Sequence, residues 1–375
     1  MRKQVLRKFI ITFVFELFLF LMLFRIGLAQ NYERQFFLQD EQDTYQLTLS
    51  ITSSLYEYYQ QKNHLLTQNN FATFVTPYSM ALVAADVRSV FPSEEGYVNA
   101  ALMLVHQIPY QIIEEPKYPV ETIIENQGDC DLLSYVCASL LKAQDLDVVL
   151  FYYETESHMN VGVHLPNPPR DARTPSSYVD YAGTRYYMAE CTGNDWQNGW
   201  RVGECPSELE GAIVTVVPLE GYEQVSPGQV SSSYGTMESS LISLAFSQDL
   251  VIEGSTIIIS GVVSASTLNG TVTLYASTSE NWLAIETVSL DSTGQYTFSW
   301  NPMSWGLYYV KASWSGNEEH AGADSAIASI FVVPKFLLLV GGGLVIVVIV
   351  SIILLLMYRT TRPQEIQTPT EYQYQ

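Results

Sequence analysis

Residues 118–143, YPVETIIENQGDCDLLSYVCASLLKA, constrain this chain more than any other stretch. Leu132, Leu133, Val136, Leu140 and Leu141 recur at helical spacing and form one apolar stripe. Gly128 permits a tight turn ahead of them, and Asp129 suits the cap of the helix. The pattern predicts an extended lead-in, a turn, and an amphipathic helix pinned into a core. Cys130 then falls in the first turn, where the partial positive charge of a helix start favours a thiolate. A small buried residue is the plainer reading of a lone cysteine. The residues that follow along the chain decide between the two.

Two apolar runs bracket the chain. Residues 9–24 follow Arg2, Lys3, Arg7 and Lys8 and lead to Gly27-Leu28-Ala29-Gln30. That is the pattern of a secretory signal cleaved after Ala29. Glu16 interrupts the run, so an uncleaved N-terminal membrane anchor over 1–29 is the alternative. Residues 336–358 carry no charge and suffice to cross a bilayer as one transmembrane helix. Arg359 and Arg362 follow it, which assigns 359–375 to a cytoplasmic tail. The expected location is the cell membrane, single-pass or double-pass, with 30–334 outside. That part holds 10 Lys+Arg against 36 Asp+Glu, a net charge of −26. Such a surface repels nucleic acid and anionic lipid, so neither is expected as a partner. Basic peptides or cell-wall amines suit it better.

Within 30–225, helices are expected over 53–62, 78–90, 97–107 and in the central stretch. Strands follow over 147–153, 158–165, 184–190 and 212–219. Helices followed by antiparallel hairpins indicate an α+β domain with its core at 100–206. Residues 226–247, rich in Ser, Gly and Pro at their start, read as a linker. Residues 248–334 alternate short strands with turns, the pattern of a β-sandwich. Asn269-Gly270-Thr271 within it is a glycosylation acceptor sequon.

There are four cysteines: Cys130, Cys137, Cys191 and Cys205. Cys137 faces the apolar stripe and reads as packing. Cys191 and Cys205 share one loop-rich stretch and could pair as a disulfide outside the cell. No CxxC spacing exists, so no zinc site, metal or cofactor is implied. A thiol nucleophile needs a base, and the base needs a group to orient it. His158 opens one expected strand and Glu190 ends another, a workable set with Cys130.

Gly128-Asp129-Cys130-Asp131, Ser157-His158-Met159-Asn160-Val161-Gly162 and Tyr186-Tyr187-Met188-Ala189-Glu190-Cys191-Thr192, with Trp200 following, resemble the transglutaminase-like superfamily. The likeness extends to Val105-His106-Gln107-Ile108-Pro109-Tyr110 and is nearest to archaeal and bacterial membrane-anchored members. It implies a papain-like fold over roughly 45–220, with Cys130 as nucleophile, His158 as general base and acid, and Glu190 as the orienting acid. Glu190 departs from the aspartate commoner there. Residues 294–300 and 306–312 resemble Ig-like surface modules.

The expected fold class is thus α+β, a papain/transglutaminase-like domain followed by an Ig-like sandwich and one C-terminal transmembrane helix. The expected function is a thiol enzyme that cleaves amide bonds through an acyl-enzyme, acting on a peptide or protein at the cell surface. A cross-linking acyltransferase and a non-catalytic binding or adhesion protein are the alternatives. The Cys130 amide is the first oxyanion donor and Gln127 a candidate second. Trp196 and Trp200 are candidate walls of a substrate groove. Asp129 and Asp131 oppose a thiolate unless their charge is spent elsewhere.

Overall fold

The computed structural model describes residues 31–67, 70–264, 270–279 and 281–336. Strands β1 (Tyr32–Gln39) and β2 (Thr44–Ile51) form an antiparallel hairpin. Helices α1 (Ser53–Gln60), α2 (Ala81–Val90), α3 (Glu94–Val105), α4 (Pro119–Glu125) and α5 (Cys130–Ala143) follow. Strands β3 (Val148–Tyr153), β4 (His158–Val163), β5 (Tyr178–Tyr181), β6 (Thr184–Ala189) and β7 (Thr215–Pro218) make one sheet in the order β5-β6-β4-β3-β7. Every neighbouring pair in it is antiparallel.

The stripe of α5 explains its position. Leu132, Leu133, Val136, Leu140 and Leu141 are all buried. Met159, Val161 and Val163, alternate residues of β4, face the same core. Burying such a side chain stabilises by about 2 kcal/mol each. Gly128 allows the chain to enter α5 tightly: a Cβ there would stand 3.1 Å from Leu132 Cβ and 3.2 Å from Thr122 Cγ2. The lead-in expected to be extended contains α4 instead. Pro119 sits in its first turn, where its missing N–H costs nothing, and Glu121 Oε2 accepts from the Tyr118 amide at 2.9 Å.

The second half holds β9 (Ala245–Phe246), β10 (Leu250–Ile252), β11 (Ile257–Val262), β12 (Thr271–Ser277), β13 (Leu283–Ser289), β14 (Gln295–Trp300), β15 (Gly306–Gly316), β16 (Ala321–Asp324) and β17 (Ala328–Val333). Two sheets, β10-β17-β15-β12-β13 with β16 on β15, and β14-β11-β9, enclose a core built on Trp314, Ile259, Leu274 and Val310.

Residues expected to be a linker are partly structural. Ser231–Ser233 form β8, which pairs with β2 and is buried. The sandwich then packs on the N-terminal half. Lys311 Nζ meets Glu57 Oε2 at 2.5 Å, Ser53 Oγ donates to Asp324 Oδ2 at 2.7 Å, and Ser313 Oγ donates to Thr52 Oγ1 at 3.1 Å.

The expected fold class needs correction. Among the described residues 35% are strand and 20% helix, with 5 helices, so this part is mostly β rather than an α+β papain-like fold. Strands β5 and β8 to β10 account for part of the excess, being short or Ser-rich with little periodic pattern. Among the described residues no helix is long and apolar enough to cross a membrane. The expected signal or anchor over 1–29, the apolar run from 337 to 358, the tail 359–375 and the Asn269 sequon residue lie outside the described residues.

Candidate active site

Cys130 opens α5 and is 9% exposed. Asp129 precedes it, and the Leu133 amide closes the first helical turn on the Asp129 carbonyl at 3.0 Å. The Cys130 thiol donates to the Ser157 carbonyl at 3.8 Å. Ser157 lies in the left-handed region, with φ of 51°, and ends the turn that presents His158. Ser134 Oγ reaches both the Cys130 carbonyl at 2.6 Å and the Met159 carbonyl at 3.1 Å, tying the helix start to β4.

His158 Nε2 donates to Glu190 Oε2 at 3.0 Å. His158 directly follows Ser157, whose carbonyl accepts from the Cys130 thiol, and the neighbouring Cys130 helps to raise its pKa. Glu190 is fully buried. A buried carboxylate must be satisfied by donors, and this one is. Asn160 Nδ2 donates to Oε2 at 2.9 Å, and Thr192 donates to Oε1 from its amide at 2.8 Å and its hydroxyl at 2.5 Å. His158 and Asn160 are alternate residues of β4, so they project to one sheet face. The β4–β6 register, with Val161 opposite Ala189, brings Asn160 beside Glu190.

Charge follows geometry. Burial pulls the His158 ring down, but the neighbouring Cys130 and the hydrogen-bonded Glu190 outweigh this and push it up to about 10. Burial drives Glu190 up, yet His158, Thr192 and Asn160 hold it below its ordinary value. Burial first, then a hydrogen bond and like charge from Asp129, push the Asp131 carboxyl up to about 8. Asp129 Oδ2 accepts from the Ile113 amide at 3.0 Å, while Asp129 Oδ1 is buried with no hydrogen-bond partner.

Two neighbours went unread in the sequence. His106 is buried and its Nε2 donates to the Glu190 carbonyl at 3.0 Å. Burial lowers its pKa, and the neutral ring carries its proton on Nε2. Gly199 packs flat on it: a Cβ there would fall 2.4 Å from His106 Nδ1. Tyr110 is half exposed. Its segment bridges Gly128 through the Gln111 amide, which donates to the Gly128 carbonyl at 2.8 Å. Burial and then the charge of Cys130 raise the Tyr110 phenol. The quoted lead-in containing both residues was the only signal in the sequence.

The remaining candidates fall elsewhere. Gln127 is half-buried just before Gly128. Trp196 and Trp200 line a cavity of about 590 Å³ with Asn99, Met103 and Asp171, and neither Cys130 nor His158 borders it. Trp196 is stacked on Phe37, with centroids 6.2 Å apart. The two tryptophans therefore do not wall the approach to the thiol. The expected Cys191–Cys205 disulfide is also corrected, since all four cysteines are free. Cys191 belongs to the core beneath α5, whereas Cys205 packs with Phe151 and Met188 on the opposite face of the sheet. Among the described residues no group of three or more His, Cys, Asp or Glu side chains could hold a metal ion.

The chain matches no protein-family model and no curated protein. Among solved structures it is similar to the CARDB domain of the PF1109 protein from Pyrococcus furiosus in complex with di-metal ions. That match has 20% identity, covers 26% of this chain and 93% of that one, and has a TM-score of 0.19. A chain from a structure addressing T cell specificity and activation by the bacterial superantigen toxic shock syndrome toxin-1 matches with 15% identity over 25% of this chain and 99% of that one, TM-score 0.19. Spo0M, a sporulation control protein from Bacillus subtilis, matches with 10% identity over 26% of this chain and 50% of that one, TM-score 0.18. Overlaps this small carry no functional argument.

Proposed function

We propose that this chain is a thiol enzyme acting on amide bonds, with Cys130 as nucleophile, His158 as proton shuttle and Glu190 as the orienting acid. The observation that supports it is His158 itself, held by a buried, fully satisfied carboxylate and directly following Ser157, whose carbonyl accepts from the Cys130 thiol. A structural histidine needs no such arrangement, whereas a nucleophile–base–orienter chain requires it. The likeness of the three motifs to the transglutaminase-like superfamily points to the same roles.

In this reading the Cys130 sulfur, its proton passed to His158, attacks an amide carbonyl. The oxyanion meets the amides at the start of α5. His158 returns the proton to the leaving amine, leaving a thioester on Cys130. Water, deprotonated by His158, then releases the acid. An amine in place of water makes the enzyme a cross-linking acyltransferase. The substrate class is a peptide or protein, and the acidic exported part favours basic segments of it. Placement outside the cell rests on the basic and apolar pattern of residues 1–29.

Labelling with an iodoacetamide probe and amidase assays, each with and without an added amine, test the proposal. Wild type should label at Cys130 and hydrolyse peptide amides. Cys130→Ala should lose both, and His158→Gln should lose turnover by at least 100-fold. Unchanged turnover in Cys130→Ala would overturn the assignment, and amine incorporation would select acyl transfer over hydrolysis.

A further inference from the structure

Glu190 stands one residue past the end of β6, where the β4–β6 ladder stops with Ala189 opposite Val161. Its carboxylate is held by His158, Asn160 and Thr192. Its main chain is held by a different residue: the Glu190 carbonyl accepts from His106 Nε2 at 3.0 Å. His106 is the C-cap of α3, its amide donates to the Leu102 carbonyl at 3.0 Å, and α3 packs on α5. The ring is buried, and the chain that follows Glu190 wraps it. A Cβ at Gly193 would stand 3.3 Å from its Cδ2, and one at Gly199 would stand 2.4 Å from its Nδ1. Thr192, which donates to Glu190 Oε1 from its amide and its hydroxyl, lies between the Glu190 carbonyl and Gly193. One imidazole therefore seats both the residue that carries the acid and the residue that supplies two of the acid's hydrogen bonds.

We propose that His106 is a positioning residue for the acid: through the Glu190 carbonyl it fixes the Glu190 carboxylate against His158. Past the last laddered residue a backbone carbonyl needs a partner from elsewhere, and a side-chain donor supplies it. Anchoring that carbonyl takes away the backbone freedom through which the carboxylate would swing off the His158 ring. The anchor is itself fixed at a helix end that packs on the helix of Cys130, so nucleophile and acid are referred to one rigid pair of helices. Burial lowers the pKa of His106, so the donor is a neutral ring and adds no second positive charge near His158. Misplacing a reacting group by about 1 Å costs up to about 100-fold in rate. The role assigned to His106 rests on that of Cys130, His158 and Glu190 in amide chemistry, but its first readout is a ring titration that needs no turnover.

The test compares full-chain His106→Leu, which removes the donor, with His106→Gln, whose side-chain amide returns an N–H near the Nε2 position. The His158 ring is titrated by NMR, and hydrolysis of a peptide amide is followed in parallel. Burial lowers the His158 ring while Cys130 and Glu190 raise it, so a displaced carboxylate should move its titration to lower pH in His106→Leu. The same variant should lose about 10- to 100-fold in kcat with KM little changed. His106→Gln should restore both readings towards wild type. A merely structural histidine would lower the thermal midpoint and leave the His158 titration where it was. A folded His106→Leu with an unmoved His158 titration overturns the proposal, as does a His106→Gln no better than His106→Leu. Should His106→Leu not fold, Gly199→Ala takes its place, since the added methyl crowds the ring. An unmoved His158 titration there overturns the proposal equally. Undiminished turnover in Cys130→Ala would sink the assigned activity, and the His158 titration would still decide the role of His106.

Discussion

Asp129 and Asp131 flank the thiol, and two full negative charges there would oppose a thiolate. The conflict is eased at Asp131, whose carboxyl burial and the neighbouring Asp129 raise to about 8, while Asp129 Oδ2 accepts from the Ile113 amide. The consequence for stability has a definite sign. The folded-state value lies above the ordinary 3.8, so the native state holds an extra proton between 3.8 and about 8. Stability therefore falls as pH rises through that window. Asp131→Asn is neutral at every pH. Thermal melts should show the variant matching wild type near pH 4 and exceeding it by about 5 °C at pH 9. A constant gap across pH would refute the raised Asp131 value. Among single residues, the meeting of His158 with Glu190 was legible because each stands at the end of one of two neighbouring antiparallel strands. His106 was not, because its partner is a main-chain carbonyl 84 residues away. Trp196 and Trp200 were misplaced because a loop's sequence carries no record of which wall it lines.

Helix α5 is where sequence and structure agree most closely, since five apolar residues at one spacing admit only one buried face. The turn before it is held as tightly. Gly128→Val would force branched carbons against Leu132 and Thr122 in a packed interior. Overpacking of this kind costs about 1–3 kcal/mol. Urea denaturation should show that loss, and iodoacetamide labelling of Cys130 should slow as the helix start shifts. An unaltered denaturation midpoint would show that the turn has room. Helix α4 was misread because a proline looks like an interruption and here occupies a first turn, where it is tolerated. Strand β8 was misread because three serines carry no hydrophobic alternation. Its pairing with β2 is supplied by backbone groups that any residue but proline possesses.

The two halves of the molecule are joined by polar contacts, with Lys311 of β15 as the most buried charge among them. Lys311 also lies over the Trp282 ring at 4.4 Å. Calorimetry of wild type should therefore give one cooperative transition. Lys311→Glu places like charges at the Glu57 contact and should separate unfolding into two transitions, the lower shifted by several degrees. One unsplit transition at the wild-type midpoint would show that the interface contributes little. The sandwich was legible as a module from its turn spacing, but its docking was not. That docking depends on Thr52, Ser53 and Glu57, which pattern only as the start of a helix.

Strand β8 has a practical consequence for dissecting the chain. Residues 231–233 return to cover the free side of β2 before the polypeptide enters the sandwich. Truncation at the compositional break near 226 would strip that cover and leave β2 with unpaired amides and carbonyls beside its buried apolar residues. A naked strand border recruits other chains. The N-terminal half cut there should be recovered as aggregate, whereas one extended past Ser233 keeps its border closed.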